Sequence, residues 1–195
     1  TSVINSIKNV PQVLLKEHYR CHPKIIQFSN KKFYNDELII LTENRNEISV
    51  KNIISKNIKA DVISINEKNI ENIKNVKFET ILVCGINEKV FKKDEILKKI
   101  ISNVKFLIIN SDIDKYLDML TNLNVVVISF GFNQKSSVTA SSVNDDNILV
   151  CIQRNIKNID DKTIEPQEIR VEVENKSCNI HNIIGCICVL LINGK

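Results

Sequence analysis

Glycine is scarce in this sequence: four of the 195 residues are glycine, and they are widely separated. They are Gly85, Gly131, Gly185 and Gly194. A backbone loop that wraps around nucleotide phosphates needs glycines close together, as in G-x-x-x-x-G-K-[ST] or G-x-G-x-x-G, and neither pattern occurs. The chain therefore lacks the phosphate loop of ATP-driven enzymes, and we expect no catalytic residues and no cofactor of its own.

Long apolar runs are also missing. No stretch of about 18 uncharged apolar residues occurs, and the first residues do not join a basic region to an apolar one. We therefore predict neither a membrane span nor a signal peptide, and we expect a cytoplasmic protein without membrane contact. The net charge of +4 is spread over separated lysines with acidic residues between them. That spacing favours a solvated surface over a nucleic-acid patch.

Tryptophan is absent, and no cysteines are paired in a C-x-x-C pattern. The six cysteines are scattered: Cys21, Cys84, Cys151, Cys178, Cys186 and Cys188. Since most of them lie in apolar runs, we interpret them as small buried hydrophobic residues in a reducing compartment. Cys178 and His181 have a C-x-x-H spacing, but a zinc site needs about four ligands. No metal site is predicted.

The sequence from Ala60 onward alternates apolar strands with amphipathic helices. Strands are predicted at 61–65, 80–84, 106–109 and 125–129, and helices at 94–102 and 113–120. Such alternation predicts an α/β fold with a mainly parallel sheet covered by helices. After Gly131 the apolar period approaches two, at 137–143, 148–153 and 168–174, which predicts antiparallel strands. A last helix at 180–191 is apolar almost all round and is expected to pack in the core.

The N-terminal part has a different pattern. A short strand at 13–15 and a helix from 23 to 33 are predicted, because Pro23 suits the first turn of a helix. Residues 42–59 are rich in Asn, Glu and Lys with weak periodicity, which is typical of a linker. We therefore divide the chain into a segment at 1–45, a linker at 46–60 and an α/β domain at 61–195.

The N-terminal segment resembles the start of the second motor domain of superfamily 1 helicases. The similar strings are L-K-E-H-Y-R-C-H-P at 15–23 and F-Y-N-D-E-L at 33–38. The resemblance implies that Arg20 reaches the ATP phosphates and that Tyr19 lies at the base pocket. Because another element would have to hold the nucleotide and Mg²⁺, the alternative for both residues is an ordinary surface or packing role.

The domain at 61–195 resembles the later part of the central domain of Mur ligases, ATP-dependent enzymes that add amino acids to peptidoglycan precursors. Five short strings occur in the family's order. They are F-E-T-I-L-V-C at 78–84, L-I-I-N-S-D at 107–112, V-I-S-F-G-F at 127–132, V-T-A-S-S-V at 138–143 and C-N-I-H-N-I-I-G-C-I-C-V-L at 178–190. The resemblance implies a Rossmann-like sheet followed by a small antiparallel sheet, in agreement with the strand periods.

The same resemblance implies nucleotide-binding roles for three residues. Asn182 matches an asparagine near the ATP adenine, Asn179 matches the asparagine before it, and Asp112 matches an acidic position of its string. The alternative for Asn179 is a helix cap. The family's Mg²⁺-holding D-H-L-D string has no counterpart at 85–90, which reads G-I-N-E-K-V. ATP and Mg²⁺ are therefore implied by the resemblance alone.

Two functional hypotheses follow from the sequence. The first is a degenerate Mur-ligase-like domain without catalytic activity, which acts as a binding or interaction module and for which a protein is the expected class of partner. The alternative is a fragment of a superfamily 1 DNA/RNA helicase whose Walker motifs lie outside this chain. Nucleic acid is expected as a partner only under that alternative.

Overall fold

A computed structural model of the chain describes residues 38–42, 47–58, 61–65, 70–73, 78–85, 94–114, 120, 124–144, 146–173 and 178–195. The predicted strand at 13–15, the predicted helix at 23–33, and Tyr19 and Arg20 lie outside the described residues. So does most of the predicted helix at 113–120.

Ten strands and four helices are assigned within the described residues. The strands are β1 (Leu38–Thr42), β2 (Asp61–Ile65), β3 (Thr80–Val83), β4 (Phe106–Asn110), β5 (Val126–Phe130), β6 (Val138–Val143), β7 (Asn147–Ile152), β8 (Ile156–Lys157), β9 (Thr163–Ile164) and β10 (Gln167–Glu172). The helices are α1 (Glu47–Asn57), α2 (Ile70–Ile73), α3 (Asp94–Ile101) and α4 (Ile180–Ile192).

Eight strands form one sheet in the order β10-β7-β6-β5-β4-β3-β1-β2. Six neighbouring strands pair in parallel, in the order β6, β5, β4, β3, β1 and β2. β7 pairs antiparallel with both β6 and β10, and β8 and β9 form a separate two-stranded antiparallel sheet. The predicted class is confirmed: the fold is α/β, with a mainly parallel, Rossmann-like sheet. The antiparallel strands β7 and β10 extend the edge of this same sheet.

Burial explains why these runs become strands. All five positions of β4 are buried, and parallel strands covered on both faces need such continuous apolar runs. β7 alternates between buried and half-buried positions, which suits a strand with one face on the core. The predicted strands that the structure describes lie within two residues of their observed bounds.

The sheet separates two apolar cores. On one face, α4 and α1 pack over a cluster that includes Leu82, Phe106 and Phe130. On the other face, α2 and α3 cover Ile81 and Leu107. A Cβ at Gly185 of α4 would lie 2.9 Å from Leu82 Cδ1 and 3.0 Å from Phe130 Cζ. Glycine at this position therefore lets α4 approach the sheet closely.

The structure differs from the prediction at 46–60, where a linker was expected. Helix α1 fills most of this segment, and Val50, Ile54 and Ile58 are buried in the core. Their spacing of four residues places them on one helical face, although the Lys and Asn residues between them dominate the composition. β1 also pairs with both β2 and β3. The sheet therefore crosses the boundary that the sequence suggested.

None of the described helices combines the length and the apolar character needed to cross a membrane.

Candidate functional site

Three segments meet at the carboxyl ends of the central parallel strands. Asp112 lies two residues after β4, residues 131–133 follow β5 directly, and Asn179 precedes α4. In open α/β sheets, ligands bind outside the carboxyl ends of the strands. This edge is therefore the candidate functional site, and it brings together Asp112 and Asn179, which were predicted from separate strings.

The Asp112 carboxylate is hydrogen-bonded on both oxygens. Oδ2 accepts the Phe132 N–H at 2.8 Å, and Oδ1 accepts the Asn133 N–H at 3.0 Å. His181 Nε2 lies 3.0 Å from Oδ2. The Asp112 N–H donates to Asn110 Oδ1 at 2.9 Å, which fixes the turn after β4. Asp112 thus joins the ends of two strands to the first turn of α4.

Gly131 allows the loop after β5 to lie close to the Asp112 carboxylate. Its φ is +154°, a value that L side chains rarely adopt, and a Cβ there would lie 2.6 to 2.7 Å from the three carboxylate atoms of Asp112. Any side chain at position 131 would therefore displace the carboxylate or the backbone.

The surroundings of Asp112 favour its charged form. Partial burial alone would raise the pKa of the carboxyl, because it removes water from the charge. The hydrogen bonds from Phe132, His181 and Asn133, together with the charge of His181 when protonated, outweigh burial and lower the pKa below its ordinary value of 3.8. The carboxylate is therefore ionised at neutral pH and accepts all three contacts.

His181 is a site residue that the sequence did not identify. Its Nε2 faces Asp112, and its Nδ1 lies 3.3 Å from Asn179 Oδ1, so both ring nitrogens face oxygen atoms of the protein. The Phe132 ring contacts the imidazole edge-on, with centroids 4.8 Å apart. No local pattern pairs His181 with a residue 69 positions earlier. Its sequence signals are its place in the string at 178–190 and its C-x-x-H spacing from Cys178.

The two asparagines of that string occupy different environments. Asn179 is the N-cap of α4, and its side chain accepts the His181 N–H at 2.9 Å. This is the capping role that the sequence left open. Asn182 is 3% exposed, among the buried residues of α4. A ligand could reach its amide only if neighbouring groups moved.

The five cysteines in the described part of the chain do not add a reactive group to the site. Cys84, Cys178, Cys186 and Cys188 are buried in the α4 core, and burial raises the pKa of the Cys84 thiol to about 12. A thiol in such a setting stays protonated and unreactive. Cys151 is half-buried, and its thiol donates to Glu168 Oε1 at 3.3 Å. Within the described ranges, no three His, Cys, Asp or Glu residues are placed to hold a metal ion.

A groove of about 850 Å³ lies between α1, α4 and β10. Ile183, Ile187 and Leu190 of α4 contribute an aliphatic stripe, and Lys56 and Glu172 lie among the polar lining residues. None of the residues around Asp112 lines this groove, which is therefore a second surface feature, separate from the carboxyl edge.

Comparison with known proteins supports both resemblances. A family model described as AAA domain matches residues 2–162, well beyond the forty or so residues that resembled helicases in the sequence. Among solved structures, UDP-N-acetylmuramate:L-alanyl-gamma-D-glutamyl-meso-diaminopimelate ligase from Neisseria meningitides is similar, with a TM-score of 0.57 and 11% identity. The alignment covers 87% of this chain and 65% of the ligase. At this identity the likeness concerns the fold alone. No curated protein matches the sequence.

Proposed function

We propose that this chain, which belongs to the AAA domain family, is a degenerate, Mur-ligase-like domain that has no catalytic activity and acts in the cytoplasm as a binding or interaction module. The observation that carries the proposal is the direction of the hydrogen-bonding groups at the carboxyl ends of the central strands. There, the hydrogen-bonding groups of Asp112, His181 and Asn179 are directed at one another.

Catalysis would require groups directed at a substrate. A general base needs a nitrogen or oxygen within hydrogen-bond reach of the proton that it removes, and both nitrogens of His181 already face protein oxygens. Phosphoryl transfer also needs Mg²⁺ and phosphates held together. The sequence offers neither a glycine loop nor the D-H-L-D string for this purpose. These features favour a domain that retains the Mur-ligase-like fold and has lost phosphoryl transfer.

The groove between α1, α4 and β10 supports a binding role. An aliphatic stripe with residues at i, i+4 and i+7, flanked by polar groups, is the kind of surface on which proteins bind apolar segments of other proteins. A protein is therefore the partner class that we propose.

The second candidate function is a helicase fragment, and the extent of the family match favours it. The match begins at residue 2 and includes Tyr19 and Arg20. Under this alternative, Walker motifs outside the chain would hold the nucleotide, and Arg20 would stabilise charge on its phosphates.

An ATPase assay tests whether this chain has catalytic activity of its own. The purified protein should hydrolyse ATP no faster than a buffer blank, with or without Mg²⁺, DNA or RNA, because no group in the chain is expected to hold the phosphates. Arg20→Ala should change nothing, and Arg154→Ala, at an exposed arginine, serves as the matched control. Turnover that Arg20→Ala abolishes and Arg154→Ala preserves would refute the inactive module.

Calorimetric titration with ATP and ADP tests nucleotide affinity directly. Without a phosphate loop, the adenine side offers one or two neutral hydrogen bonds worth roughly 0.5 to 1.5 kcal/mol each. Association costs at least about 4 kcal/mol, so we expect no binding tighter than about millimolar. A micromolar constant that Asn182→Ala weakens would show a working adenine site.

A further inference from the structure

The Asp112 carboxylate lies among three hydrogen-bonding groups from other parts of the fold. Phe132 N and His181 Nε2 are 2.8 and 3.0 Å from Oδ2, and Asn133 N is 3.0 Å from Oδ1. Consecutive backbone N–H groups that converge with a side-chain donor are a common arrangement for binding an oxyanion. We call Gly131, Phe132, Asn133 and His181 the cradle.

The cradle is positioned by contacts that do not involve the Asp112 side chain. The Gly131 N–H donates to Val138 O at 3.2 Å, and the Ser136 N–H donates to Asn133 O at 2.9 Å. Ser136 Oγ lies 2.7 Å from Ser111 Oγ, which ties the loop after β5 to the end of β4. The cap at Asn179 holds the first turn of α4. The donors should therefore keep their arrangement when the carboxylate is removed.

We propose that the cradle is a binding site for a small oxyanion, a carboxylate or phosphate group, and that Asp112 of the same chain occupies it as an intramolecular ligand. A tethered carboxylate has a high effective concentration, so a dissolved anion does not compete with it in the wild-type protein. Removal of the side chain opens the site. The proposal goes beyond the proposed function, which places partner binding at the groove between α1, α4 and β10, and its test measures stability, so either can fail alone.

Chemical rescue tests the site. Asp112→Gly removes a CH₂–COO⁻ fragment, which has the shape of acetate. Acetate should bind this variant with a Kd on the order of 10 mM. At ten times that concentration, the Tm of the variant should rise by about 3–6 °C relative to chloride at equal ionic strength. The wild-type protein should respond equally to acetate and chloride. Phosphate forms a second arm, and the stronger of the two rescues identifies the preferred anion.

Further variants test whether the rescue by acetate arises from binding at the cradle. His181→Ala combined with Asp112→Gly should remove most of the rescue, because it deletes one of the three groups around the anion. Asp160→Gly, at an exposed aspartate outside the cradle, should show no rescue specific to acetate. If Asp112→Gly does not fold, Asp112→Ala with formate repeats the test with a smaller fragment. Rescue no greater than that by chloride, or rescue unchanged by His181→Ala, would overturn the proposal.

Discussion

At position 131, both the positive φ of the backbone and the close packing of Asp112 require glycine. Gly131→Ala would place a Cβ within 2.7 Å of the Asp112 carboxylate at a φ of +154°. We expect the free energy of unfolding to fall by about 2–4 kcal/mol, because the clash adds to the backbone strain. Urea denaturation measures the change.

Gly194→Ala is the control for this experiment. Gly194 also has a positive φ, of +70°, but its Cβ would meet nothing within 4 Å. Its substitution isolates the backbone cost, which should be about 1 kcal/mol. Equal losses at the two positions would contradict the packing argument at Asp112.

Asp112 should also make stability depend on pH. Its pKa in the folded protein lies below the ordinary value of 3.8, so the unfolded chain takes up the proton first as the pH falls. The stabilisation by the carboxylate is therefore fully present above about pH 5 and is lost as the pH falls through the folded pKa. The stability difference between wild type and Asp112→Asn should shrink over that range in urea titrations. A difference independent of pH would show that the charge contributes nothing.

Single residues of the site differ in how far the sequence could predict them. Asp112 and Asn179 belong to strings with recognisable neighbours, and the capping alternative for Asn179 follows from the ordinary behaviour of asparagine at a helix start. His181 joins the site through Asp112, 69 residues away in the chain. A contact of this kind depends on how the strand ends and the helix are placed together, so no local pattern reveals it.

Helix α1 allows a direct test of whether residues 46–60 form part of the packed core or a linker. Ile54 is fully buried against the α4 core, so Ile54→Ala should cost about 2–5 kcal/mol of unfolding free energy. Ser55→Ala, at the exposed neighbouring position, should change stability by less than about 0.5 kcal/mol. Denaturation curves that do not distinguish the two variants would restore the linker interpretation.

The elements that the sequence predicted well are those with strong apolar patterns. β4 reads F-L-I-I-N and α4 is apolar almost throughout, so the amino-acid sequence alone predicts that both elements are buried. α1 has two buried core residues, Val50 and Ile54, in a sequence rich in Lys and Asn, and β8 and β9 are two residues long. Such elements owe their structure to tertiary packing, which local sequence does not record.

For the whole molecule, the continuous sheet predicts one cooperative unfolding unit. β1 is paired on both sides, and the hydrogen-bonded order runs without a break to β7 and β10. The amides of β1 and of β7 should therefore lose protection at the same denaturant concentration in native-state hydrogen exchange. Earlier exchange in β1 would divide the chain into two independently unfolding parts.

Helix α4 follows every strand that it covers. Its thirteen residues pack against β3, β4, β5 and β6, all of which precede it in the chain. During synthesis, Phe106 and Phe130 leave the ribosome long before the helix that buries them. A nascent chain that stops short of Ile180 therefore exposes the apolar face of its sheet, and such surfaces aggregate or recruit chaperones. Productive folding of this face has to wait for the final turns of α4.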